Sequence, residues 1–375
     1  MSLTIDVHAL HSVPPSLINR DDTGAPKSAI FGGVSRQRVS SQSWKRAIRR
    51  YFKDNFDPEG VGARSRRLPE RIAQRLEEHG VEQGDAIART EDLFKKAGIK
   101  TAVDKPSKKA ADETEEPASV YPRTGYLLFL SPHQIDRAVQ KLLELDGEKI
   151  SKADAQKILD TEHSVDMAMF GRMVADDAAF NVDASVQVAH ALGVHASAPE
   201  FDYFTAVDDL AEEGEETGAG MIGTLQMMSS TLYRYATIDV DGLAANLGSE
   251  QAAKDAVPHF IDAFIKSMPT GKINTFANQT LPELVYVAVR DTRPVSLVNA
   301  FESPVEGEDR RALAAQRLAE EAKQVSDVYG FTPLASWVVA LGDLGAPFAE
   351  IAENVTLPAL QDQITAKLDR SFGGN

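Results

Sequence analysis

The chain has 375 residues, no cysteine and a formal charge of -16, from 40 Lys and Arg against 56 Asp and Glu. Without cysteine, disulfides and thiolate metal sites are excluded, and a cytoplasmic setting is expected. The polar opening MSLTIDVHAL lacks a signal-peptide core, and no apolar run approaches the roughly 20 residues that span a bilayer, so no membrane partner is expected.

Leu3, Ile5, Val7 and Ala9 alternate with Thr4, Asp6 and His8, the period-two pattern of a half-buried strand. Residues 11–33 carry turn chemistry at Pro14-Pro15, Asn19, Gly24, Pro26 and Gly32-Gly33 and predict an irregular connection. A strand is expected over 34–39, then a helix to about Phe52 whose N-cap is Ser40 or Ser41. On that helix Trp44, Ile48, Tyr51 and Phe52 form one apolar stripe, while Lys45 with Arg49, and Arg46 with Arg50, align one turn apart on the remaining surface. Helical patterns follow at 68–79, 85–97, 131–145 and 151–169, with a polar loop predicted over 102–119. Strands are expected at 183–194, 225–238, 284–289 and 295–299, a projecting acidic loop at 212–220, and helices at 310–325 and 335–341. Strands at both ends around a helical insertion indicate an α+β fold.

An overall charge of this sign argues against indiscriminate nucleic-acid binding, because a polyanion is repelled on average. The distribution of charge points the other way in one segment. From Thr23 to Lys53 there is no acid but eight bases: Lys27, Arg36, Arg38, Lys45, Arg46, Arg49, Arg50 and Lys53. A capped helix start offers free N–H groups to an anion. Ser40 and Gln42 add donors, and Lys45 and Arg49 add charge a turn later. Together they describe a phosphate site that reads backbone and not bases. A solvated basic face, or a docking site for an acidic protein, fits the charge pattern equally well. Trp44 could stack a base, but its place beside Ile48 favours core packing.

Enzyme signatures are missing. Asp22-Thr23-Gly24 matches the aspartic-protease tripeptide but has no second copy and no preceding apolar strand. His8 with His11 and His190 with His195 form no metal-ligand pattern, and there is no Walker A, GxGxxG or GxSxG motif. No catalytic residue, cofactor or metal is expected.

Several segments resemble the CasC family of type I-E CRISPR systems. They are Asn19-Arg20-Asp21-Asp22-Thr23-Gly24, Lys27, Ala29 to Gly33, Arg38 to Gln42 with Lys45-Arg46, Asp166 to Met173, Ala189-His190-Ala191, Phe204 to Leu210, and Tyr233-Arg234-Tyr235. The resemblance implies an RRM-like (ferredoxin-like) palm from residues 1–59, 181–196 and 229–375, a helical fingers insertion at 60–180, and a projecting β-hairpin thumb at 197–228. It implies a non-catalytic subunit that polymerises along CRISPR guide RNA. Its partners would be adjacent copies of itself, other Cascade subunits and, through the guide, target DNA. Carried over position by position, it assigns guide-backbone contacts to Arg20, Lys27, Ser40, Gln42, Lys45 and Arg49, with Arg46 adjacent. Met173 resembles an apolar wedge beside a displaced nucleotide, and Ile222 its counterpart on the neighbouring subunit's thumb; core packing is the plainer role for both, but less attractive for Ile222, whose acidic, Gly-rich flanks suggest exposure. A second reading is an RNA-cleaving, type III-like subunit using Asp21 or Asp22. A third is a protein-binding adaptor.

Overall fold

The computed structural model describes residues 2–56, 61–103, 119–161, 163–173, 180–207 and 218–372. Two compact units emerge. One comprises Met1–Tyr51, Val186–Asp241 and Lys254–Asn375; the other comprises Phe52–Ser185 and Gly242–Ala253. Strands and helices are both abundant, as expected of an α+β fold.

The first unit is built on a large sheet. From one edge its strands run Glu353–Asn354, Ala335–Ala340, Leu284–Arg290, Thr4–Ser16, Gly218–Asp239, Ala191–Gly193, Val34–Val39 and Ser28–Phe31. Thr4–Ser16 lies between two antiparallel partners, with Ile5 opposite Ile238 on one side and Val289 on the other. Its alternation does not separate core from solvent: Ile5, Val7, Asp6 and His8 are all fully buried. The polar face is tolerated because it is hydrogen-bonded. Asp6 accepts from Arg290 Nε at 2.9 Å, Tyr235 Oη at 2.9 Å and the Val295 N–H at 3.0 Å, while His8 Nδ1 lies 2.9 Å from Tyr233 Oη. The half-buried strand expected from sequence is thus a strand covered on both faces.

Other differences have local causes. Residues 335–341, expected as a helix, form the strand Ala335–Ala340, because Trp337 and Val338 pair with Val287 and Tyr286. The expected strand at 295–299 is a 3-10 turn, Val298–Phe301, whose entry is fixed by the Leu297 N–H donating to Tyr233 Oη at 2.9 Å. The helix expected over 151–169 is two, Lys152–Asp160 and Val165–Phe170. At the break, Gln134 donates to Leu159 O and Thr161 O (both 3.1 Å), and Arg137 to Ile158 O at 3.0 Å and Thr161 O at 2.7 Å. The 183–194 strand is likewise two, Val186–Val188 and Ala191–Gly193. The connection at 11–33 contains the end of the first strand and the strand Ser28–Phe31. The expected helix at 310–325 is present as Arg310–Tyr329, and further helices include Val240–Leu247, Glu250–Lys266 and Leu357–Phe372. Most of the expected loops at 102–119 and 212–220 lies outside the described residues.

The second unit packs helices Leu68–Glu78, Gln83–Lys96, Pro132–Glu144 and Lys152–Asp160 around Ile72, Leu76, Leu93, Phe94 and Ile135. Ser131 and Gln134 form a reciprocal capping box at one helix start. Among the described residues no helix is long and apolar enough to cross a membrane.

Candidate nucleic-acid interface

The hairpin Ser28–Phe31/Val34–Val39 leads directly into the helix Ser41–Asn55. Ser40 is the N-cap. Its carbonyl accepts the Trp44 N–H at 3.2 Å, and its hydroxyl faces the Ser43 N–H at 3.4 Å. Asn19 joins this helix start to the preceding loop: its Oδ1 accepts the Ser40 N–H at 2.8 Å, and its carbonyl accepts the Lys27 N–H at 3.0 Å. One residue thereby sets Arg20, Lys27 and the helix N-terminus in fixed relation. Sequence reasoning placed Asn19 in a turn and at the head of a family-like segment but assigned it no contact; its polar side chain just ahead of the basic run was the available signal.

The helix divides its faces cleanly. Trp44 and Ile48 are buried, with the Arg234 guanidinium 3.7 Å from the centre of a Trp44 ring. Trp44 is therefore core, held from below by a cation, and not a platform for a base. Lys45 and Arg49 are half-buried on the next face, while Gln42, Arg46, Arg50 and Lys53 are exposed. Burial first, then the neighbouring Arg49 charge, holds the Lys45 ammonium below its ordinary pKa. Two like charges at that spacing favour an anion between or above them.

Ser40 is only 5 % exposed, so the capped turn offers an anion mainly its backbone N–H groups. Arg20 is exposed and Lys27 half-buried on the loop below. Asp21 pins that loop, its Oδ1 accepting from Thr23 N at 2.9 Å, Thr23 Oγ1 at 2.7 Å and Ala25 N at 3.1 Å. The Thr23 hydroxyl bond, above all, keeps its carboxyl below the usual range. Asp22 is exposed.

Arg36 leaves the basic strip altogether. It is fully buried and donates to the carbonyls of Phe31 and Gly193 at 3.1 and 3.0 Å, and of Phe301 and Glu302 at 3.1 Å each. Gly32, at φ +58°, makes the tight approach possible, since a Cβ there would lie 1.6 Å from Glu302 O.

In the second unit, Gly171-Arg172-Met173 splits into three tasks. Gly171 adopts φ +75° and a Cβ would meet Val182 O at 2.6 Å. Arg172 is buried, donating to Phe180 O at 2.8 Å, Leu159 O at 3.1 Å, Phe129 O at 3.3 Å and Asp160 Oδ1 at 2.7 Å. Met173 is 86 % exposed on that braced base, which rules out core packing for it. Met173→Asp is expected to leave folding stability within about 0.5 kcal/mol. A thermal melt checks this; a large loss of stability would count against a displayed residue.

Glu200–Val207 and the first half of Gly218–Asp239 form a hairpin with Thr205 opposite Ile222. Phe201, Tyr203 and Phe204 are exposed on it. The Ile222 side chain lies outside the described part. Among the described residues no group of three His, Asp or Glu could hold a metal ion.

These features sit in a chain with clear relatives. Two solved structures described as subunits of CRISPR RNA-guided surveillance complexes are similar. One, in a pre-nicking state, superposes with a TM-score of 0.80 at 34 % identity over 97 % of this chain and 100 % of its own. The other has a TM-score of 0.73 at 30 % identity over 97 % and 99 %. No curated protein matches. The model of the CRISPR-associated family described as CT1975-like protein matches residues 5–363, and the chain belongs to that family.

Proposed function

We propose that this protein is the guide-RNA-binding backbone subunit of a Cascade-type complex, of the type I-E CasC kind. It repeats along the guide and presents its bases to target DNA, without catalysing a reaction itself. In this reading the sheet is an RRM-like palm, the helical insertion the fingers, and the Glu200–Val207 hairpin the thumb. Adjacent copies and other complex subunits are its protein partners, in the cytoplasm. The relatives are components of RNA-guided complexes, which supports the assignment. The observation that carries it is the half-buried Lys45–Arg49 pair beside a capped helix start and the Arg20–Lys27 loop. That arrangement favours a phosphate chain and offers nothing that would discriminate bases. The engagement of Asp21 in its own turn supports a scaffold over an RNA-cleaving subunit.

Lys45→Ala with Arg49→Ala is expected to weaken binding of labelled single-stranded guide RNA. The log–log salt slope should become shallower by about 1.4, at roughly 0.7 per lost phosphate contact. Fluorescence anisotropy across a salt series measures both. An unchanged slope in a folded protein would overturn the proposed track.

A further inference from the structure

The break between Val186–Val188 and Ala191–Gly193 falls at Ala189 and His190. The Ala189 N–H is taken by Tyr235 O at 2.9 Å, and Ala191 and Leu192 resume pairing opposite Val39 and Arg38. That register sets His190 beside Arg38, with Arg38 Nη1 3.2 Å from His190 Nδ1. Arg38 is fixed in turn: its Nε donates to Ser28 O at 3.3 Å and its backbone N–H to Lys27 O at 2.9 Å.

This contact settles the imidazole's tautomer. A guanidinium has only donors, so Nδ1 must accept, and the ring proton must sit on Nε2. The ring is exposed, yet partial desolvation first, and then the Arg38 and Lys27 charges, hold it below the ordinary histidine value, so it is neutral near pH 7. Both charges acting on it are cations. Among the described residues Nε2 has no protein partner. A neutral N–H donor of fixed orientation, flanked by two cations, suits an anionic oxygen.

We propose that Lys27, Arg38 and His190 form a phosphodiester-binding surface site in which the His190 Nε2–H donates to a non-bridging phosphate oxygen of the bound strand. The inference rests on the guide-RNA reading above and extends its track from the helix to the sheet. Arg38 has two tasks, supplying charge and fixing the histidine's proton. His190 is a contact that carries no charge and therefore leaves no trace in a charge count.

The test uses the full chain with a labelled single-stranded RNA, a sequence-matched DNA, and a salt series for each. His190→Ala is expected to weaken binding about tenfold, the size of one hydrogen bond to a charged group, with the salt slope unchanged. His190→Gln, which keeps an N–H donor near the Nε2 position, should recover most of that loss. Arg38→Ala should weaken binding and make the slope shallower by about 0.7. Equal losses on RNA and DNA support the phosphate assignment. A loss confined to RNA would transfer the contact to the ribose 2′-hydroxyl and overturn it. Normal binding by folded His190→Ala, while the Lys45/Arg49 double variant still fails, would overturn the surface site and leave the guide-binding reading standing. Failure of the double variant to change the slope would instead overturn that reading. Should His190→Ala not fold, His190→Gln carries the comparison: near-native binding supports the surface site, and a full loss in a folded protein overturns it.

Discussion

Arg36→Ala is expected to cost about 3–5 kcal/mol of folding stability, a large effect for a residue inside the most basic stretch of the chain. Its guanidinium satisfies four backbone carbonyls drawn from three separate segments, at Phe31, Gly193 and Phe301-Glu302. Truncation orphans those acceptors, each at about 1–3 kcal/mol if water does not reach it, and opens a cavity. Lysine would not substitute, because one ammonium cannot match a planar fork of donors. A urea titration followed by circular dichroism gives the stability, and RNA binding by the folded fraction should keep its salt slope. Native stability with a shallower slope would place Arg36 on the RNA surface and refute its structural role.

Acid is expected to unfold the sheet-bearing unit through His8 and His11. Burial, with help from Arg290 and Arg234 respectively, lowers both imidazoles to about 3. In the unfolded chain they titrate near 6.5, so between those values the unfolded state binds protons that the folded state refuses. The stabilising contribution is complete above about pH 6.5 and is lost progressively as pH falls towards 3. Each group accounts for about 1.4 kcal/mol per pH unit within the window, so the pair gives a slope near 2.7. Asp6 works in the opposite sense, because burial pushes its carboxyl up. His8→Phe isolates the effect: it keeps a ring against Tyr235 and Tyr286, whose centroids lie 5.0 and 5.5 Å away, and should halve the slope. Urea midpoints from pH 7.5 to 4.5 measure it, and a flat profile would refute the assignment.

Much of the first fifty residues was legible as sequence. The Val34–Val39 strand, the Ser cap and the Trp44–Ile48 stripe follow from periodicity and capping chemistry, and all three stand in the structure. Short apolar runs were less readable. Residues 335–340 satisfy either period over so few positions, and only pairing with Leu284–Arg290 decides the matter. Glu250–Lys266 was hidden by Pro258, which lies inside it. For the site, sequence reports charge but not direction. Lys45 and Arg36 look alike in a row of bases, yet one is half-buried and the other wholly enclosed. His190 stands out in the sequence only as part of a family motif, because its interest depends on an Arg38 brought to it across 152 residues.

The strand Gly218–Asp239 changes partner midway. Up to Met227 it pairs with Glu200–Val207, and from Met228 onward with Thr4–Ser16 at the centre of the sheet. The hairpin is therefore a cantilever: its outer ten residues, roughly 33 Å at strand rise, share one unbroken backbone with a beam clamped on both sides. A load at its free end is borne by the whole ladder and not by a loop that can swivel. Such a strut converts strand length into a fixed distance between the sheet and whatever its outer residues touch.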